Sequence, residues 1–345
     1  MIKIDNMSLE EIKEFLKSLG EESYRGEQIY KWIFSRGVDN FEDMTDISKS
    51  LRGKLSDCSE FTKIEILEKI ESRKDGSIKA LFSFEDGEKI ETVVLKDGNR
   101  NTLCISTQVG CRMGCSFCST AKIGFKRDLT SAEILKQVIV MNRLLEEKGD
   151  KVTNIVYMGM GEPLDNIENV MRSLSILTDE NGLGFSHRKV TVSTSGRVDN
   201  IDKIFSLKKP VNLAVSLNAT TDSTRSEIMP VNRKFGIAEL VGKLRELPLQ
   251  KRKRITIEYV MLRGINDTID DAKRIIHIVK GLPVKINLIL YNPTIDSIYK
   301  PSTEESALKF QKYLTDRNFT VFIRKSYGSD IDGACGQLYA KYKKM

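Results

Sequence analysis

The strongest constraint on the fold is an alternation that begins near residue 102. Seven short segments rich in Val, Ile and Thr, at 102–107, 153–158, 189–194, 211–217, 255–262, 284–291 and 319–324, read as strands. Helical patterns lie between them. Thr130 with Glu133 forms a capping-box pair for a helix ending before Gly149, and Ser302 with Glu305 does the same for 303–317. Residues 268–280 carry a helical period that stops at Gly281-Leu282-Pro283. Strand followed by helix, with short connections, implies parallel strands joined by crossover helices. About six such units are too many for a small open sheet, so an α/β barrel or partial barrel is expected. In such a fold the residues after each strand share one rim, where active sites lie. Here they are Thr107-Gln108-Val109-Gly110-Cys111, Gly159-Met160-Gly161-Glu162-Pro163, Ser193-Thr194-Ser195-Gly196, Ser216-Leu217-Asn218-Ala219 and Tyr291-Asn292-Pro293. All are small, polar or glycine-rich, and all should converge on one mouth.

The preceding residues have a different character. Ser8 with Glu11 caps a helix whose apolar face is Ile12, Phe15 and Leu16 and which Gly20 stops. Further helices are expected over 25–35 and near 47–55. Residues 62–97 alternate around Asp86-Gly87, a hairpin signal. The expected organisation is a helical accessory unit at 1–60, a β-hairpin region at 61–97, a barrel at 98–328 and a C-terminal segment at 329–345. A chain of 345 residues with 40% hydrophobic and 30% charged residues is ordinary globular material, which excludes a disordered or fibrous class. No apolar run approaches the ~20 residues of a membrane span, and the N-terminus lacks the apolar core of a secretory signal. A cytoplasmic enzyme with no membrane partner is expected. The net charge of +7 permits a polyanionic partner without requiring one.

Six cysteines stand at 58, 104, 111, 115, 118 and 335. Three of them fall in Cys111-Arg112-Met113-Gly114-Cys115-Ser116-Phe117-Cys118, a Cys-x3-Cys-x2-Cys spacing. A zinc site usually wants four ligands, and the two histidines, His187 and His277, lie in unrelated contexts. Three thiolates in one loop instead suit three irons of a 4Fe–4S cluster, with the fourth iron left open to a non-protein ligand. Gly110 and Gly114 fit a backbone wrapped closely round such a group. Cys58 is expected to be structural, and Met158 and Met160 are expected to pack.

This spacing after the first barrel strand resembles the radical SAM superfamily. There the open iron chelates S-adenosylmethionine, and one electron cleaves it to a 5′-deoxyadenosyl radical. Gly159-Met160-Gly161-Glu162-Pro163 resembles that superfamily's Gly-Glu turn, whose carboxylate receives the substrate's ammonium. The stretches YRGEQIYKWIF, CISTQVGCRMGCSFCSTAKIGF, MGMGEPLDN, KVTVSTSG and DIDGACGQLY, which span nearly the whole chain, resemble the RlmN family of RNA adenosine methyltransferases.

The resemblance implies a methyl carrier at Cys335, a resolving thiol at Cys104 with attendant disulfide chemistry, and a proton acceptor at Glu91. It implies cluster ligands Cys111, Cys115 and Cys118. It implies a cofactor pocket of Gly161, Glu162, Ser193, Ser216, Leu217, Asn218 and Asn292. Asn218 replaces the family's usual histidine, and an amide cannot be protonated near neutrality. Two S-adenosylmethionine molecules per turnover, a low-potential electron donor, 23S rRNA and adenosine 37 of tRNAs follow as expected partners. The implied product is adenosine methylated at carbon 2.

Blander readings stand beside these. Cys104 and Cys335 could each be a small buried hydrophobe. Glu91 could be a solvated strand residue. Lys251-Arg252-Lys253-Arg254 could be a solvated loop rather than a phosphate contact. The related Cfr branch, which methylates carbon 8, shares the core motifs. A non-enzymatic iron–sulfur carrier would be expected to have a fourth cluster cysteine.

Overall fold

The computed structural model describes residues 1–294 and 297–340. The expected capping box opens its first helix. After the short strand β1 (Ile2–Lys3), Ser8 Oγ accepts from Glu11 N, Glu11 accepts from Ser8 N at 2.7 Å, and α1 (Leu9–Ser18) follows. α2 (Arg25–Tyr30) starts as expected but continues through Lys31–Ser35 as a π-helical turn. The wider turn buries three consecutive residues, Trp32, Ile33 and Phe34. α3 (Lys49–Cys58) is capped by Ser48, and β2 (Ser59–Glu60) pairs in parallel with β1.

This helical unit docks on the barrel through polar contacts. Asn6 Oδ1 accepts from Ser131 Oγ and Ala132 N, and Arg172 donates to Asn6 O and Glu11. Asp5 is buried and accepts from Thr62, with Lys136 Nζ 3.7 Å away. Its carboxyl is pushed up by burial, against the pull of Lys136 and Thr62.

The hairpin around Asp86-Gly87 is one turn of a larger antiparallel run. β3 (Ile64–Glu71), β4 (Ile78–Phe84), β5 (Lys89–Asp97) and β6 (Arg100–Cys104) pair in sequence, and β6 then pairs in parallel with β9 (Asn154–Tyr157). The hairpin region is therefore an extension of the main sheet, not a separate ribbon. Between β6 and β9 come β7 (Gln108–Gly110), α4 (Ser119–Ile123), β8 (Phe125–Asp128) and α5 (Ser131–Glu146). α6 (Ile167–Thr178) leads to β10 (Val190–Thr194), and a 3-10 stretch at Val198–Ser206 leads to β11 (Asn212–Ser216). α7 (Asp222–Ile228) and α8 (Ile237–Glu246) precede β12 (Ile255–Met261). α9 (Ile269–Ile278) precedes β13 (Val284–Leu290), and α10 (Glu304–Thr315) precedes β14 (Val321–Arg324).

The ten-stranded sheet runs β14-β13-β12-β11-β10-β9-β6-β5-β4-β3. Its seven parallel strands are joined by six crossovers, and the β14 edge does not meet β3 or β6, so the barrel is partial. Central strands are buried on both faces, which is why they read as Val/Ile runs without alternation. One cap differs from expectation. Thr303 caps α10, its side chain accepting from Ser306 N, while Ser302 Oγ donates to Asp267 at 2.6 Å. A half-buried carboxylate just ahead of α9 outcompetes the local cap.

No helix among the described residues is long and apolar enough to cross a membrane. The last five residues of the expected C-terminal segment lie outside the described residues.

Candidate active site

The cysteine loop is shaped by its glycines. Gly110 has φ +73°, and a Cβ there would stand 1.6 Å from Gly124 O, so no other residue fits. Cys111 N donates to Gly124 O at 3.1 Å, which ties the loop to β8, and Cys118 N donates to Cys115 O across a tight turn. Ser116 N reaches Ile228 O, anchoring the loop on the end of α7.

The three thiols line one cavity that opens to solvent. Burial pushes Cys111 up to about 12 and Cys115 well above its ordinary value, and each of the two is raised further by the charge of Cys118. Thiols held this way ionise only against compensating metal charge. No three Cys, His, Asp or Glu side chains among the described residues are gathered tightly enough for a single ion. A four-iron cluster asks for something else, since each thiolate takes its own iron.

The expected rim forms. Gly161, Glu162, Pro163, Ser193, Ser195, Ser216, Asn218, Tyr291 and Asn292 line the same cavity. Glu162 is 3% exposed and accepts from Leu164 N at 3.1 Å and Ser195 N at 2.7 Å. Burial raises its carboxyl, and the backbone donors pull it down. Gly161 has φ +101°, and a Cβ there would stand 2.6 Å from Gln108 Cβ, so the turn closes on Gln108 only with glycine. Asn218 sits at φ +54°, in the left-handed region that Asn tolerates. Its Oδ1 accepts from Val260 N at 2.8 Å and its Nδ2 points to Met229 Sδ. The amide thus fixes the strand ends at a position where an imidazole is usual. Leu217 is buried but does not line the cavity; its carbonyl accepts from Arg225.

Cys335, an exposed residue, lines this cavity too. Its loop is held from both sides. Ser119 N donates to Gly336 O at 2.8 Å, Thr120 Oγ1 to Leu338 O, and Asn292 Nδ2 to Cys335 O at 3.4 Å. Cys104 is buried at the end of β6, its thiol raised first by burial and then by the charge of Cys335. All six cysteines are free thiols. Glu91 is buried on β5, which removes the solvated-strand reading. Its carboxylate pairs with Lys79 at 2.9 Å and accepts from Tyr339 N at 2.7 Å, so it grips the C-terminal segment. Met160 packs with no exposure, accepting from Glu91 N at its sulfur, whereas Met158 lines the cavity. Cys58 closes α3, its thiol donating to Lys54 O.

Three residues were not picked out by the sequence. Arg324, at the end of β14, faces Cys335, Glu258 and Cys104. Glu258 is buried in the middle of apolar β12, with Asn287 on one oxygen and none on the other. Arg225 is fully buried and donates to the carbonyls of Ser195, Ser216 and Leu217, stapling the ends of β10 and β11. A carboxylate inside a Val/Ile strand was the available signal for Glu258; the two arginines gave none. Glu258 lines the cavity, and its Oε2 has no hydrogen-bond partner among the described residues.

Residues 2–61 match the ribosomal RNA large subunit methyltransferase N-terminal domain, and residues 105–277 match the radical SAM superfamily. The dual-specificity RNA methyltransferase RlmN of Geobacter sulfurreducens is 46% identical over 99% of this chain and 93% of its own length. This chain belongs to the RlmN family. The RlmN of Geotalea uraniireducens is 45% identical over 99% of this chain and 98% of its own length. A radical SAM methyltransferase from Sphaerobacter thermophilus has a solved structure that superposes with a TM-score of 0.93 at 38% identity, over 99% of this chain and all of that one. The chain is thus a radical SAM RNA methyltransferase, and its superfamily uses a 4Fe–4S cluster with S-adenosylmethionine. The cavity fits that group: three thiols of one loop stand beside a buried carboxylate and an unpartnered carboxylate oxygen.

Proposed function

We propose that the protein methylates carbon 2 of adenosine, in 23S rRNA at the peptidyl-transferase centre and at position 37 of tRNAs. The observation that carries this reading is the presence of Cys335 in one cavity with Cys111, Cys115 and Cys118. Carbon 2 of adenine is not nucleophilic, so polar methyl transfer from a sulfonium fails there. A protein-borne methyl group circumvents this through a covalent intermediate.

Cys111, Cys115 and Cys118 hold the cluster. A cluster held there, with S-adenosylmethionine bound, would supply a hydrogen-abstracting radical. Glu162 receives the ammonium of S-adenosylmethionine, and its own orientation is set by Leu164 N and Ser195 N. Gly161, Ser193, Ser216, Asn218 and Asn292 form the rest of the pocket, with Leu217 contributing through its backbone.

Cys335 carries the methyl group from a first S-adenosylmethionine; a second one serves the radical step. The S-methyl group gives one hydrogen atom to that radical, its carbon bonds to adenine carbon 2, joining protein and RNA, and the adduct passes its unpaired electron to a one-electron acceptor. Glu91 takes the proton lost from carbon 2; the same carboxylate also accepts from Tyr339 N in the Cys335 segment. Cys104 then attacks the Cys335 sulfur, forming a disulfide and releasing methylated RNA. A low-potential electron donor supplies the electron for radical formation, and a reductant reopens the disulfide.

Reconstituted protein should convert a 23S rRNA fragment to 2-methyladenosine, read by mass analysis of the nucleosides. Carbon-8 methylation as the main product would overturn the position assigned here.

A further inference from the structure

We propose that the N-terminal end of the parallel strands is a second RNA-binding face, remote from the catalytic cavity. The inference rests on the RNA-methyltransferase reading and adds a surface to it.

The sheet register builds this face. Thr191 pairs with Asn212, Ala214 with Thr256, and Thr256 with Lys285, so β10 to β13 begin side by side. The segments entering these strands are basic. Arg188 precedes β10, Lys209 precedes β11, Lys251-Arg252-Lys253-Arg254 precedes β12, and Lys285 is the second residue of β13. Asn212 links two of them, donating to Arg188 O at 3.0 Å and accepting from Lys253 Nζ at 3.2 Å.

These cations lack counter-charges. Among the described residues, Arg188, Lys253, Arg254 and Lys285 have no carboxylate within salt-bridge reach, and Lys209 has Glu180 only at 4.0 Å. Some lysines elsewhere are paired, as exposed Lys148 is with Glu71 at 2.7 Å and half-buried Lys243 with Asp202 at 3.1 Å. Burial and the charges of Arg188 and Lys285 press Lys253 below its ordinary value. Burial, Lys253, Arg188 and Lys209 do the same to His187. An external polyanion relieves repulsion of this kind.

The location separates RNA from an acidic redox protein. β12 has seven residues, and at ~3.3 Å per residue its two ends stand roughly 20 Å apart. An electron donor docked here would be that much farther from the cluster thiols. A long phosphate backbone can reach both ends of the barrel. A short stem-loop seated in the cavity cannot.

The test uses the reconstituted holoenzyme and two charge-neutralised variants. One carries Arg188→Gln, Lys253→Gln, Arg254→Gln and Lys285→Gln. The other carries Lys209→Gln, Lys251→Gln and Arg252→Gln, which disturb no internal hydrogen bond. Affinity for a long 23S rRNA transcript and for a short stem-loop carrying the target adenosine is read between about 50 and 200 mM salt. The four-site variant should bind the long RNA about 10²-fold more weakly at physiological salt, with its log–log salt slope reduced by roughly three. The three-site variant should lose a smaller part of both. Stem-loop binding and methylation should not change. Unaltered long-RNA affinity in both variants overturns the proposal, as does an equal loss for both RNAs. Loss of polyglutamate binding with RNA affinity intact also overturns it, in favour of an acidic protein partner. If the unsubstituted holoenzyme binds neither RNA, the RNA-methyltransferase reading falls first and takes this face with it.

Discussion

The two ends of the parallel sheet solve opposite electrostatic problems. At the C-terminal ends of the strands, thiols and a carboxylate are buried together, and Cys111, Cys115 and Glu162 are all shifted toward neutrality by burial. At the N-terminal ends, exposed and half-buried cations gather with only Glu180 as a counter-charge among the described residues. The first end concentrates groups that need an incoming positive centre, a metal cluster and an ammonium. The second needs an incoming negative one. The strands between them are apolar on both faces and serve as a spacer. The difference teaches that one sheet can carry separate chemistry and grip, provided each end's charge is completed from outside.

The comparison can be broken most sharply at the cavity end. Cys335→Ala should reduce RNA methylation to the uncatalysed level while leaving cluster absorbance and S-adenosylmethionine cleavage intact. Loss of the cluster in this variant would place Cys335 among the ligands. Cys104→Ala should accumulate protein covalently joined to RNA, visible as a slow band in denaturing electrophoresis; free, unmodified RNA alone would remove the resolving role.

Glu162→Gln should weaken S-adenosylmethionine binding by about 10- to 100-fold, the ~1.5–3 kcal/mol of a charged hydrogen bond, measured by calorimetry. Arg324→Met should move the pH profile of Cys335 alkylation to higher pH. Arg324 lowers that thiol against the effect of burial, so its removal leaves the thiolate scarcer at any given pH. An unmoved profile would mean that Arg324 acts on Glu258 alone.

The smallest effect lies away from both ends. Ser8→Ala should cost about 1 kcal/mol of stability in thermal unfolding and leave catalysis unchanged, since its hydroxyl caps only α1.

Much of the cavity end was legible in the sequence, because its chemistry is local. Cys111 to Cys118 is one loop, and Gly161-Glu162 is one turn. The strands were legible as Val/Ile runs, and Thr130 capped α5 as its spacing implied. What stayed hidden depends on contacts across the fold. Ser302 lost its capping role to Asp267, which lies 35 residues away. The hairpin at Gly87 gave no sign that β5 would go on to join β6 and extend the barrel sheet. Arg324 meets the two thiols only once β14 lies at the sheet's edge. The basic run at 251–254 looked like any solvated loop, and its neighbours Arg188 and Lys285 came into view only through strand register.

The most direct measurement is peptide mapping of holoenzyme incubated with methyl-labelled S-adenosylmethionine in the absence of RNA. The label should settle on the peptide containing Cys335 and, when RNA is then added, pass to adenosine. Label that reaches RNA without ever residing on Cys335, or that settles on a different cysteine, contradicts the methyl-carrier account.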